Sequence, residues 1–162
     1  MNAQASAFNP EMFLNITTND ANSTELLQVP EGEYTAVTQG IGPDSFKRFP
    51  IKQGERAGQD FYRLDVVWLI NDEGKAIEQS IGRAPKVTQG IGLDISKDGT
   101  LEMGKGKNVG LGQLREALGQ NAAGRPWSMS QLGGQVAKIQ VKHRLDANSG
   151  RTYIDVTKVA RA

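Results

Sequence analysis

Between Phe46 and Arg56 the chain sets four cations, Lys47, Arg48, Lys52 and Arg56, beside two aromatic rings, Phe46 and Phe49. Cations along a groove neutralise phosphates, and flat rings stack on bases, so this mixture is the chemistry of a single-stranded polyanion site. Arg63 follows on the next segment, and Lys138, Lys142, Arg144 and Arg151 recur near the C-terminus. Lys105 and Lys107 lie among glycines just before a helix start, where free amides and the helix dipole reinforce side-chain charge toward an anion. The bland account of the same residues is a solvated basic surface around core aromatics.

Catalytic chemistry finds fewer materials. His143 is the only histidine and there is no Cys, which rules out His-built metal triads, thiolate nucleophiles, disulfides and most structural zinc sites. No Ser lies in a nucleophile elbow, and neither His-Glu-x-x-His nor a nucleotide-binding fingerprint occurs. Asp44, Asp94 and Asp98, helped by Asp65 or Glu102, are the candidate ligands for a divalent ion in a metal nuclease, but their spacing fits no known loop motif. The expectation is a non-enzyme without cofactor or metal.

The 162 residues suffice for one domain with a tail and a sizeable core. The N-terminus lacks a basic region followed by an apolar run, and no stretch approaches the ~20 apolar residues of a membrane span. A cytoplasmic protein is expected. The formal charge of +1 hides an asymmetry: residues 1–33 hold Glu11, Asp20, Glu25, Glu31 and Glu33 with no Lys or Arg, so the remainder carries +6. That permits polyanion binding without demanding it. Residues 1–29 are expected to form an acidic, mostly irregular arm, and residues 30–162 the domain. Phe8 to Leu14 is an apolar island in that arm, suited to docking on the domain's own surface, to covering a basic groove or to meeting a neighbouring subunit.

The elements that must position these residues follow from periodicity. Tyr34, Ala36 and Thr38 alternate with Thr35, Val37 and Gln39 as a first strand would, and 41–60 lacks a period and reads as a long loop. Tyr62, Leu64, Val66, Trp68 and Ile70 form one face of the best strand, with a hairpin turn at 71–74 and a partner strand over 76–95 that breaks near Pro85. Val37-Thr-Gln-Gly-Ile-Gly42 recurs as Val87-Thr-Gln-Gly-Ile-Gly92, which we take as two strand ends using Gly at bulges or corners. The span 108–121 is the one helix: Leu111, Leu114 and Leu118 share a stripe, Asn108 is placed to cap it, and Gly119 to end it. Trp127 suits a core plug. Strands over 136–144 and 152–159 close a hairpin, the first with Ala137, Ile139 and Val141 opposite Lys138, Gln140 and Lys142. Three strands, a helix and a closing hairpin predict a mainly β protein: an OB-like five-stranded barrel with one helix between strands 3 and 4.

Pro30-Glu-Gly-Glu-Tyr-Thr-Ala, Leu114-Arg-Glu-Ala-Leu-Gly, Pro126-Trp-Ser and Leu132-x-Gly-Gln-x-Ala-Lys-x-x-Val-x-His give the segment 30–160 a resemblance to small bacteriophage proteins encoded among replication and recombination genes. That group resembles phage single-stranded-DNA-binding proteins of OB type. The resemblance implies a non-catalytic, sequence-tolerant binder of single-stranded DNA, working with replication or recombination proteins in an infected or lysogenic host. Many such proteins end in an acidic tail, and this chain stops at Ala162 without one. Stacking and phosphate contacts serve RNA as well as DNA. A homodimer is a further expectation, since open sheet edges pair and arms exchange. The rival expectation is a virion component or host-factor inhibitor with no nucleic-acid role, for which Phe8 to Leu14 would be the working surface.

Overall fold

The computed structural model describes residues 7–162. Its elements in chain order are α1 (Pro10–Phe13), β1 (Gly32–Thr38), β2 (Phe46–Pro50), β3 (Asp60–Ile70), α2 (Ala76–Ile81), β4 (Lys86–Leu93), α3 (Val109–Ala117), β5 (Val136–Leu145) and β6 (Thr152–Arg161), with short 3₁₀ turns between several of them.

The fold is built on β3. Its alternate residues Leu64, Val66, Trp68 and Ile70 are 0–3% exposed, and the intervening ones face outward. One edge of β3 carries two partners: β2 along its first half, Phe46 opposite Leu64 through Pro50 opposite Asp60, and β1 along its last residues, Thr38 opposite Trp68. The other edge pairs with β4 from Tyr62–Leu93 to Leu69–Lys86. β1 continues to β5, and β5 to β6, every pairing being antiparallel. The result is a six-stranded antiparallel sheet whose end strands, β4 and β6, are not joined by hydrogen bonds. A cleft of about 570 Å³ lies along that seam, lined by Gln89–Gly92, Val156–Val159 and the α3 residues Gly110, Gln113 and Leu114.

Helix α3 lies on the inner side of the sheet because its apolar stripe has nowhere else to go. Leu111 and Leu114 are 2% exposed and join Trp68, Leu132, Ile139 and Val141 in one core. Gly119 ends the helix at φ +70°, the left-handed conformation that glycine adopts without a Cβ penalty. In β6 the pairing slips between Gln140–Lys158 and Val141–Val156, leaving Thr157 as an extra residue. Side chains alternate along a strand, so this bulge moves the core-facing set from Ile154 and Val156 to Val159.

Several expectations need correction. The chain is mainly β as expected, but in place of an OB-like five-stranded barrel the sheet has six strands and does not close. The loop expected over 41–60 contains β2, which pairs along its whole length with β3. Its sequence, Phe-Lys-Arg-Phe-Pro, hides this because both faces stay exposed and no apolar alternation develops. The strand expected over 76–95 begins as helix α2, and only Lys86–Leu93 is strand. The Asp72 carboxylate accepts from the amides of Ile77 and Glu78 and so satisfies the start of that helix, a role no period reveals. The helix expected over 108–121 is shorter, and Asn108 caps it with backbone alone. Its side chain turns back to accept from the Asp94 amide and donate to the Asp94 and Glu102 carbonyls. In the arm, Asn9 caps the single turn α1, whose Met12, Phe13 and the following Leu14 are 59–83% exposed and not packed on the domain. The part of the arm before residue 7 lies outside the described residues.

Candidate nucleic-acid interface

On the outer face of β2, β3 and β4 the register sets Phe49 opposite Phe61 and Lys47 opposite Arg63. Cross-strand partners project to the same side, so these four side chains share one surface. Phe49 and Phe61 are 40% and 39% exposed, with ring centroids 6.4 Å apart and planes tilted by 30°. The Arg63 guanidinium lies 4.9 Å from the centre of the Phe49 ring. Its Nε donates to Asp65 Oδ1 at 2.6 Å and its second nitrogen to Oδ2 at 3.1 Å, a two-pronged pairing that fixes the plane of the fork.

Glycine on β4 makes this arrangement fit. Gly90 pairs with Asp65, and Gly92 with Arg63. A Cβ at Gly90 would stand 2.9 Å from Arg63 Cδ, and one at Gly92 would stand 3.2 Å from the Phe61 ring. Both side chains therefore lie flat across β4, which forms a shelf beneath them. These glycines belong to the second copy of the Val-Thr-Gln-Gly-Ile-Gly echo and lie inside the strand rather than at a bulge. Those of the first copy, Gly40 and Gly42, lie between β1 and β2 where the chain turns a corner.

The shelf is cationic but tempered. Like charges directly opposite repel, and Asp65 offsets the Lys47–Arg63 pair. Lys47 Nζ donates to the Asp44 carbonyl at 2.9 Å, an exposed contact that a phosphate can displace.

The other basic candidates fall elsewhere. Arg48 points to the opposite face of β2 and donates to Asp60 at 2.7 Å, a bond that raises the guanidinium pKa. Phe46, on that same face, lines an apolar cleft with Tyr62, Leu93 and Trp127. Lys52 and Arg56 are exposed in the β2–β3 connection, where Arg56 donates weakly to Gln59. Lys107 pairs with Glu102 at 3.1 Å, and Lys105 is exposed in the same loop.

Lys138 and Lys142 are exposed on β5, and Arg151 is exposed just before β6. Arg144 donates to Asp155 at 2.9 Å, the bond that raises its own pKa, and stands 5.1 Å over the Tyr153 ring. Pairing places the β5–β6 turn beyond the start of β1 and the β2–β3 connection beyond its end. Lys142, Arg144 and Arg151 thus lie toward one end of the sheet and the β2–β3 candidates toward the other, with Lys138 between them opposite Thr35 and Lys105 and Lys107 apart.

Sequence reasoning left out Phe61 and Tyr153. Both were legible: each alternates with core-facing neighbours and so had to be outward. Trp127 is half-buried, its indole N–H donating to Gln120 at 3.0 Å, with the Arg115 guanidinium 4.0 Å from its ring centre. Arg115 also donates twice to the Gln120 carbonyl, so it fastens the end of α3. His143 ties β5 to the chain entering β1 through the Val29 carbonyl and the Glu31 carboxylate.

Most carboxylates considered for a metal have protein partners: Asp65 meets Arg63, Glu102 meets Lys107, Asp94 meets the Asn108 amide, and Asp98 accepts from Ser96 and Thr100. Among the described residues, no three His, Asp or Glu groups gather where an ion could sit, and no helix is long and apolar enough to cross a membrane. Neither a protein-family model nor any curated protein matches the chain.

Proposed function

We propose that the chain is a non-catalytic, sequence-tolerant single-stranded-DNA-binding protein of bacteriophage type, acting in replication or recombination, with the β2–β3–β4 shelf as its central contact. The observation that carries this reading is the exposed Phe49–Phe61 pair with Arg63 laid over it on glycine-flattened β4. Exposing two large rings to water costs apolar hydration unless something covers them, and base faces are suitable covers. Strand connectivity supports the same reading. β1 and β2 act together as one interrupted first strand, followed by β3, β4, α3 and the β5–β6 hairpin, the order of an OB barrel opened at its last seam. Lys47, Lys52 and Arg56 then extend the phosphate path beyond the shelf.

The experiment is a fluorescence-anisotropy titration of labelled oligothymidine and of a matched duplex at two salt concentrations. Tighter single-strand binding that weakens steeply with salt is expected. Equal affinity for both forms, or none at low salt, overturns the reading.

A second reading is a phage structural or host-factor-interacting protein, favoured by the exposed Met12, Phe13 and Leu14 of the arm. Deleting residues 1–28 separates the two. The first reading expects DNA binding to persist or strengthen as acidic residues leave; the second expects partner binding to vanish.

A further inference from the structure

We infer that the seam between β4 and β6 is a second contact for the bound strand, where the Gly90 and Gly92 amides and the Lys158 ammonium take its phosphates. The inference rests on the single-strand reading and carries the path from the shelf across β4. Register identifies which backbone groups of β4 are free. Along β3 the Val67 carbonyl accepts from Gln39 and the Asn71 amide donates to Thr35, so odd residues turn to β1. Even residues turn to β4, as Ile70 does in donating to the Pro85 carbonyl. Bonded and unbonded pairs alternate in an antiparallel ladder, so Leu64 and Val66 bond Ile91 and Gln89. Gly90 and Gly92 therefore aim their amides away from β3, into the seam, as Asp94 does in donating to Asn108.

Among the described residues, no strand takes up those two amides. β4 pairs with β3 alone, and the Thr157 bulge breaks the β6 edge that would otherwise answer it. Both glycines are exposed on the outer face, and without a Cβ their backbone can be approached closely from that side. Backbone amides and cationic side chains are the usual protein donors to phosphate oxygens. The two amides lie about 6.6 Å apart, twice the rise per residue, so each can serve its own phosphate. The carbonyls of the same residues are left to water.

Charge and width select a nucleic-acid strand as the occupant. Of the described residues that line the seam cleft of about 570 Å³, Lys158 alone is charged. It is exposed and, paired with Gln140, stands on the same outer face as the shelf. The acids nearby are already engaged: Asp65 with Arg63, Asp94 with the Asn108 amide and Asp155 with Arg144. Glu116 lines the adjoining cleft together with Arg161. A phosphodiester in the seam thus meets one cation and two donors with no carboxylate in the lining. A peptide strand does not fit the same place: Cα atoms across the seam approach within 8 Å, and a strand between two others needs roughly 9.5 Å.

The test combines salt-dependent anisotropy titration of labelled oligothymidine with amide hydrogen exchange followed by NMR on the full chain. Lys158→Gln should lower the slope of log affinity against log salt by roughly 0.7–1, the share of one phosphate, while Lys158→Arg should keep it. The Gly90 and Gly92 amides should exchange freely in the unbound chain and at least about tenfold more slowly in the complex. Lys158 is exposed, so both variants keep the fold. A wild type that does not bind single strands defeats the single-strand reading and this inference with it. Binding in which Lys158→Gln leaves the slope unchanged, or the glycine amides exchange as before, overturns the seam contact and leaves the shelf standing. Amides already slow in the unbound chain would overturn it too, by showing that β4 and β6 pair in solution.

Discussion

The Arg63 guanidinium lies 4.9 Å above the centre of the Phe49 ring, one strand away, because Gly90 leaves the space its side chain crosses. Cβ addition at residue 90 would press on Arg63 Cδ, a flexible side chain and not backbone, and Gly90 has no positive φ that would strain an alanine. Gly90→Ala should therefore leave the fold in place while lifting Arg63 from the ring. Single-strand affinity should fall severalfold, with a melting temperature within a few degrees of wild type; equal loss of both would mean the glycine serves packing alone.

Phe49 and Phe61 test the shelf directly. Stacking is worth about 1–3 kcal/mol per base, so Phe49→Ala or Phe61→Ala should weaken oligothymidine binding by that amount in a titration. Both rings are already two-fifths exposed, so the stability loss should fall below the about 3–5 kcal/mol of a fully buried Phe. Phe46→Ala is the control: its ring lines the apolar cleft, and DNA affinity should scarcely change.

The two neighbouring cations should behave differently under salt. Lys47 faces the shelf and Arg48 is committed to Asp60 on the other side of β2. Lys47→Ala should reduce the slope of log affinity against log salt by about one. Arg48→Ala should leave the slope nearly as it was. If the two slopes fall alike, the bound strand covers both faces of the β2–β3 hairpin.

What the sequence disclosed and concealed follows from where each element gets its stability. β3 and β5 were legible because one face of each is buried, which imposes a period of two on Leu64 to Ile70 and on Ala137 to Val141. β2 was not, since its stability comes from backbone pairing with β3 and its side chains keep no apolar face. The cations and Phe49 were visible as residue types, but facing needs register: Lys47 and Arg48 are adjacent in sequence and opposite in space. Of the residues that prompted the expected resemblance, Trp127 and Ser128 line the apolar cleft and Trp127 meets Arg115 and Gln120 at the end of α3, so they bear on the frame more than on the shelf.

Asn108 and Asp94 clasp each other. The Asn108 amide donates to Asp94 Oδ2 and the Asp94 amide to Asn108 Oδ1, both at 2.8 Å, closing the loop that leads into α3. Asn108 also has φ +51°, a conformation asparagine tolerates better than alanine. Asn108→Ala should lose the side-chain bonds and add backbone strain, costing about 1–3 kcal/mol in denaturant unfolding. Asn108→Gly should cost less, because it relieves the strain while losing the same bonds; equal costs would leave the backbone conformation with no part in the effect.

Two exposed turns should make stability depend on acid. The Ser96 and Thr100 hydroxyls, donating to Asp98, hold its carboxyl below the ordinary aspartate range, and the Ser149 hydroxyl with the Asn148 amide does the same for Asp146. A carboxylate whose folded pKa is depressed contributes stability that is fully present above its unfolded value and lost as pH falls through the folded one. The unfolded value for aspartate is near 4, so the contribution should be flat from neutral pH to about 5 and decline below about 4. Asp98→Asn and Asp146→Asn keep the size of the side chain and remove its charge. Each should unfold at lower urea than wild type at pH 7, and the gap should narrow progressively as pH falls below about 4. A gap of constant size across that range would assign the effect to the geometry of the turn and remove carboxylate charge as its cause.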